Sequence, residues 1–71
     1  MTEFGLKNTI KVERAKKNMT QAELALKVGV SRKTINTIET GKFIPSTITA
    51  IRIARAFDLE IEQIFELVSN E

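Results

Sequence analysis

The 71-residue sequence predicts a single all-α domain, a compact bundle of five short helices. Two observations predict this class. Apolar residues recur at helical spacing along the chain, and helix-capping residues interrupt them at short intervals. We see no alternating pattern typical of a strand, no linker and no internal repeat, so residues 1–71 are treated as one domain. The predicted helices cover residues 6–17, 21–28, 32–40, 47–57 and 61–68.

The first two helices are predicted from spacing and from their end residues. Leu6 and Ile10 lie four residues apart, on one side of the first helix. Asn18 follows it, and asparagine is second only to glycine as the left-handed residue that ends a helix. Thr20 and Glu23 have the spacing of a capping box, in which each side chain satisfies the other's backbone N–H, so the second helix begins there.

Serine and glycine residues define the next boundaries. Gly29 and Gly41 are predicted to end the second and third helices, because glycine readily takes the left-handed conformation found at helix ends. Ser31 and Ser46 are the expected N-caps of the third and fourth helices. Only three residues connect the second helix to the third, which forces an abrupt change of direction.

Charge is distributed unevenly along the chain. Residues 1–45 hold nine Lys or Arg against four Glu, a net charge of +5. Residues 46–71 hold two Arg against five acidic residues, a net charge of −3. This asymmetry indicates one surface that faces a polyanion, although two ordinary solvated faces would give the same counts.

Composition excludes several classes of protein. The chain has no Cys and no His, so neither disulfides nor a Cys/His metal site is possible, and no metal or cofactor is expected. With no Tyr or Trp and a single Asp as well, nucleophile–base pairs are scarce and an enzyme is not expected. We find no apolar run of membrane-spanning length and no signal peptide, which makes the cytoplasm the expected location.

The outward arc of the third helix is polar throughout. On a helical wheel, five of its residues fall within an arc of roughly 140°, while Ile35 and Ile38 fall on the opposite side. The five are Arg32, Lys33, Asn36, Thr37 and Thr40. Arginine and lysine can donate to guanine, asparagine can pair with adenine, and threonine can bond bases or contact a thymine methyl group.

Arg32 and Lys33 carry positive charge at the end of the helix that prefers anions. Each costs roughly 0.3–1 kcal/mol at an exposed position, and the Thr and Asn residues of the arc are weak helix formers. An ordinary solvated face would more often use Glu, Lys and Ala. DNA phosphates would supply the missing negative charge. The residues therefore favour a face that reads DNA over an ordinary solvated face.

Residues 20–42, TQAELALKVGVSRKTINTIETGK, resemble the helix-turn-helix core of the Xre/Cro family of regulators, to which phage repressors belong. The core itself spans residues 20–41. It matches the family pattern at Thr20, Gln21, Leu24, Ala25, Gly29, Val30, Ser31, Ile35, Glu39 and Gly41. The resemblance implies a lambda-repressor-like fold that binds double-stranded DNA, with the third helix in the major groove.

The resemblance also implies roles for individual residues. The expected base contacts are Arg32, Lys33, Asn36 and Thr37, with Asn36 at the edge of the contact zone. The expected contacts to the DNA backbone are Gln21, Ser31, Thr40 and Lys42. Arg14 and Glu39 match positions that form a buried ion pair between the first and third helices.

Relatives of this kind bind as homodimers, with two recognition helices one DNA turn apart on a two-fold operator. The apolar residues available for such an interface are Ile44, Ile48, Phe65 and Leu67. Phe65 and Leu67 are also placed where they could simply cover the edge of the core.

Two other functions stay open. One is an antitoxin that binds a toxin and its own promoter, although only residues 69–71 follow the predicted fifth helix and leave little length for gripping a toxin. The other is an adaptor that keeps the fold and binds only protein, against which the polar arc of the third helix argues.

Overall fold

Five helices and one two-stranded sheet make up residues 3–70, the part of the chain that the computed structural model describes. In chain order the elements are β1 (Glu3–Asn8), α1 (Ile10–Lys16), α2 (Gln21–Val28), α3 (Arg32–Glu39), α4 (Thr47–Ala56), α5 (Ile61–Ile64) and β2 (Phe65–Asn70).

The sheet joins the two ends of the described chain. β1 and β2 pair antiparallel, with Glu3 opposite Asn70 and Asn8 opposite Phe65. Such a ribbon is marginal on its own and needs packing against helices to persist. Here the half-buried Leu6 packs against the helical core, so the sheet extends the helical body.

The all-α prediction is therefore wrong in part. Residues 6–8, which we predicted as the start of the first helix, belong to β1, and residues 65–68, predicted as the end of the fifth, belong to β2. The chain leaves α5 at Phe65, whose φ of −112° and ψ of 136° are those of a strand. The backbone N–H of Thr9 then donates to the carbonyl of Ile64 at 3.0 Å, which fixes the start of the ribbon against α5.

The start of α2 and the turn between α2 and α3 follow the predicted capping chemistry. The Thr20 hydroxyl accepts from the Glu23 backbone N–H at 3.0 Å, and the Glu23 carboxylate accepts from the Thr20 N–H at 2.9 Å, which confirms the capping box. Gly29 ends α2 with φ at +83°, where a side chain would be strained. Ser31 then caps α3 by accepting from the Thr34 N–H at 3.1 Å.

Buried residues from all five helices, from the residue after α4 and from the start of β2 form one core. They are Ile10, Leu24, Ala25, Val28, Ile35, Ile38, Ala50, Ile53, Ala54, Phe57, Ile64 and Phe65. Ile35 and Ile38 anchor α3 in this core and thereby turn its opposite side to solvent. Phe65 is only 6% exposed, so the interface role predicted for it does not fit its position. The extended backbone at the start of β2 turns this side chain inward.

α4 supports the turn from behind. The guanidinium Nη1 of Arg52 lies 3.4 Å from the carbonyl oxygen of Val28, one of the last carbonyls of α2. A cation at this end of a helix satisfies an orphan acceptor and complements the helix dipole. Sequence reasoning missed this contact, because it joins residues from two different helices.

Candidate nucleic-acid interface

The exposed side of α3 carries the polar residues that the helical wheel placed there. Arg32, Lys33 and Asn36 are exposed and Thr37 is half-buried, while Ile35 and Ile38 on the other side are fully buried. Because buried isoleucines fix the rotation of the helix about its axis, the polar side chains are presented as one surface. We call these four polar residues the reading face.

The first turn of α3 holds two cations and no acidic residue. Among the residues that the structure describes, no ion pair engages Arg32 or Lys33. Both charges therefore lie near the positive end of the helix without local compensation, an arrangement that an incoming anion would relieve.

Two threonine hydroxyls, one in α3 and one on the residue that follows it, already donate to carbonyl groups of the helix backbone. Thr37 Oγ1 donates to the carbonyl of Thr34 at 2.9 Å, and Thr40 Oγ1 donates to the carbonyl of Asn36 at 3.0 Å. A threonine whose hydroxyl proton is bonded in this way can still accept a hydrogen bond through Oγ1, and its methyl group stays available for apolar contact. Thr37 is thus suited to contact a thymine methyl or a base amino group.

Arg14 and Glu39 join α1 to the end of α3. Arg14 Nε lies 2.7 Å from Glu39 Oε2, and Arg14 Nη2 lies 3.0 Å from Oε1, so the pair is bidentate. The hydrogen bond to Glu39 raises the pKa of Arg14. A third donor, Nη1, reaches the carbonyl of Met19 at 3.0 Å, which ties the pair to the segment that leads into α2. The side chains are 15% and 6% exposed, so the pair is largely shielded from water.

Gln21, the first residue of α2, crosses to α3. Its Nε2 donates to Asn36 Oδ1 at 3.2 Å and to Glu39 Oε1 at 3.4 Å. Both amide hydrogens are therefore bonded within the domain, whereas a phosphate would need a donor that is still free. In the first turn of α2, the Glu23 N–H is bonded to the Thr20 hydroxyl, so the backbone N–H groups of Gln21 and Ala22 are the ones that could supply such donors. The Gln21 side chain, for which we predicted a phosphate contact, is thus bonded to α3 in the structure.

Asn8 is a residue that sequence reasoning missed. Its Nδ2 donates to the carbonyl of Ile38 in α3 at 3.0 Å, and its Oδ1 accepts from the N–H of Ile10 at 3.2 Å. The side chain thus connects the end of β1 both to the start of α1 and to the last turn of α3. An asparagine two residues before a helix is typical of a local turn, but its contact with α3 spans a long stretch of chain and has no local signal.

The other predicted residues surround the reading face or lie apart from it. Ser31 is exposed and its hydroxyl caps α3, while Lys42 is exposed in the loop that follows α3. Ile44, Ile48 and Leu67, predicted at an interface, are 63%, 64% and 69% exposed.

None of the helices within residues 3–70 is long and apolar enough to cross a membrane. Within the same residues we found no group of three or more acidic side chains that could hold a metal ion.

A capped α2, a tight glycine turn and an α3 with a polar outer side define a helix-turn-helix domain of the DNA-binding type. Residues 10–64 match the sequence profile of the helix-turn-helix family. The chain belongs to this family of DNA-binding transcriptional regulators of the Xre/Cro type.

Relatives and solved structures agree with this assignment. An uncharacterized HTH-type transcriptional regulator from Methanocaldococcus jannaschii is 52% identical over 66 residues, which cover 93% of this chain and 100% of that protein. The restriction-modification controller protein C.AhdI from Aeromonas hydrophila superposes with a TM-score of 0.72 at 26% identity, over 76% of this chain and 82% of that chain. SinR, the master regulator for biofilm formation, solved in complex with DNA, superposes with a TM-score of 0.69 at 28% identity. The match covers 75% of this chain and 86% of that chain.

Proposed function

We propose that this protein is a sequence-specific regulator that places α3 in the major groove of double-stranded DNA and binds a two-fold operator as a homodimer. The observation that carries the proposal is the division of α3 into two sides. Arg32, Lys33 and Asn36 are exposed on one side, and Ile35 and Ile38 are fully buried on the other.

The reading face offers the chemistry that base recognition needs. Arg32 and Lys33 are donors suited to the N7 and O6 acceptors of guanine. Thr37 offers a methyl group and an oxygen whose proton is already used. A face that combines strong donors with an apolar contact can distinguish base pairs in the major groove, where each pair presents a distinct pattern.

Groups around the reading face would hold the DNA backbone. The first turn of α2 contributes N–H groups, Ser31 lies at the start of α3, and Thr40 and Lys42 lie at its end. Contacts of this kind set the register and orientation of the protein on the duplex, while the base contacts determine which sequence is bound.

The proposal of a dimer is supported by large apolar side chains that are exposed on the domain. Phe43, in the loop after α3, is 52% exposed and adjoins Ile44; Ile48 at the start of α4 and Leu67 in β2 are more exposed still. Several large apolar side chains exposed on so small a domain favour an interface. A two-fold dimer would set two copies of α3 about 34 Å apart, one turn of DNA.

Selection of bound fragments from random duplex DNA, followed by binding measurements across a salt series, tests the proposal. We expect a two-fold symmetric consensus, with affinity falling by about 0.9 log units per log unit of salt for each phosphate neutralised. Recovery of fragments with no common sequence would contradict sequence-specific recognition. A consensus without two-fold symmetry would contradict the dimer alone.

A further inference from the structure

Four side chains form a hydrogen-bonded relay from the interior to the reading face. Arg14 donates to Glu39, Gln21 donates to Glu39, and the same amide nitrogen of Gln21 donates to Asn36. The distances are 3.0 Å, 3.4 Å and 3.2 Å respectively. The relay begins at a shielded ion pair and ends on an exposed residue of α3.

Chemistry dictates the direction of every bond in this relay. The carboxylate of Glu39 is held by a guanidinium and can only accept. Gln21 must therefore turn its NH₂ group, not its carbonyl, toward Glu39. The second hydrogen of that NH₂ group faces Asn36, so the Asn36 atom on that side must be the acceptor, Oδ1. The opposite orientation of either amide would set two donors or two acceptors against each other.

We propose that Gln21 is a positioning residue for specificity, which fixes the amide of Asn36 so that its Nδ2 group is presented to the DNA. The proposal rests on the proposed function, because Asn36 must face bases for its orientation to matter. Within residues 3–70, Nδ2 of Asn36 has no hydrogen-bond partner, and its side chain is exposed. The relay thus turns a side chain that could donate or accept into one that primarily donates.

This orientation has a consequence for base preference. A donor finds an acceptor on guanine, adenine and thymine, whereas the major-groove edge of cytosine presents the N4 amino donor. The fixed Asn36 should therefore select against cytosine at the base it contacts. An asparagine free to rotate about its last bond could turn Oδ1 outward and accept from cytosine N4, which would remove that selection.

The orientation can be measured without DNA. In NMR spectra of the free protein, the side-chain NH₂ protons of Gln21 should exchange slowly with water, because both are bonded, and those of Asn36 should exchange at the rate of an exposed amide. Protected Asn36 protons together with freely exchanging Gln21 protons would overturn the proposal. This measurement does not depend on whether the protein reads sequence.

The effect on recognition is tested with duplexes that differ at one base pair. Asn36→Ala first locates that pair as the position where base preference is lost. Affinities for the four duplexes are then compared for the native protein, Gln21→Met, which has no donor, and Gln21→Lys, which can only donate. Ratios among the four duplexes cancel any uniform change in affinity, including one from lost backbone contacts. Thermal melting followed by circular dichroism checks that both variants fold.

We expect the native protein and Gln21→Lys to disfavour cytosine by about fivefold or more, and Gln21→Met to bind all four duplexes within about twofold. Full discrimination by Gln21→Met would overturn the positioning role. So would an Asn36→Ala variant with unchanged preferences, although the proposed function would stand. A native protein without preference at any position would instead contradict the proposed function itself.

Discussion

Arg14 Nε lies 2.7 Å from Glu39 Oε2, and this ion pair joins α1 to the last residue of α3. The pair holds the end of α3 against the body of the domain. It also fixes the position of the Glu39 carboxylate, which accepts a hydrogen bond from Gln21 and so orients the Gln21 amide.

Arg14→Met should destabilise the domain by roughly 3–5 kcal/mol, since it leaves the shielded carboxylate of Glu39 without its partner. Lys16→Met is the matched control on the same helix. Lys16 is 66% exposed and lies 3.4 Å from Glu13, so its loss should cost at most about 1 kcal/mol. Urea unfolding of the two variants gives the comparison, and equal costs would show that the Arg14 pair contributes no more than a surface pair.

Glu23→Gln should reduce the loss of stability in acid. The backbone hydrogen bond from Thr20 lowers the pKa of Glu23, so ionised Glu23 stabilises the fold above its ordinary pKa of 4.5. That contribution disappears as the pH falls through the lowered pKa. Glutamine can complete the same capping box without ionising. Unfolding free energies measured from neutral pH to below 4.5 should fall less steeply for the variant, and parallel curves would exclude the mechanism.

Substitutions on α3 and beyond it should affect DNA binding in different ways. Arg32→Ala or Lys33→Ala should alter base preference, by about 1–3 kcal/mol for each good bidentate contact that is lost. Lys42→Ala should weaken binding to all sequences alike and lower the salt slope by about 0.9. Competition among variant duplexes at fixed salt separates the two classes. If neither α3 variant changes base preference, residues outside the reading face must contact the bases.

Ile48→Glu combined with Leu67→Glu should yield monomers that keep the helical fold, because both side chains are exposed and the charges would repel across an interface. Leu26→Glu is the control, since Leu26 is 86% exposed on α2 and lies outside the proposed interface. Light scattering after gel filtration at tens of micromolar protein measures the mass. A native mass of one chain, or a double variant that stays dimeric, would contradict the proposed interface.

Local signals predicted the centre of the domain correctly. The capping box at Thr20, the left-handed Gly29 and the Ser31 cap each arise from a few neighbouring residues, and the structure has all three. The polar arc of α3 follows from the same helical periodicity. What a helix buries and exposes can be predicted when its own residues decide the pattern.

The ends of the domain could not be predicted in this way. Leu6 and Ile10 have helical spacing, yet the chain is extended up to Asn8, because β2 is available as a partner. Two residues of the right period do not outweigh pairing between segments at opposite ends of the sequence. Two side-chain contacts could not be predicted from the sequence for the same reason, those of Asn8 with Ile38 and of Gln21 with Asn36. Each depends on elements that only the fold brings together.

The pairing of β1 with β2 sets the order in which the domain can be completed during synthesis. β1 leaves the ribosome before all five helices, and it has no partner strand until residues 65–70 have emerged. Contacts between α2 and α3 join neighbouring segments and can form earlier, because closing a short loop costs less entropy. The ribbon therefore closes after the contacts between α2 and α3 have formed.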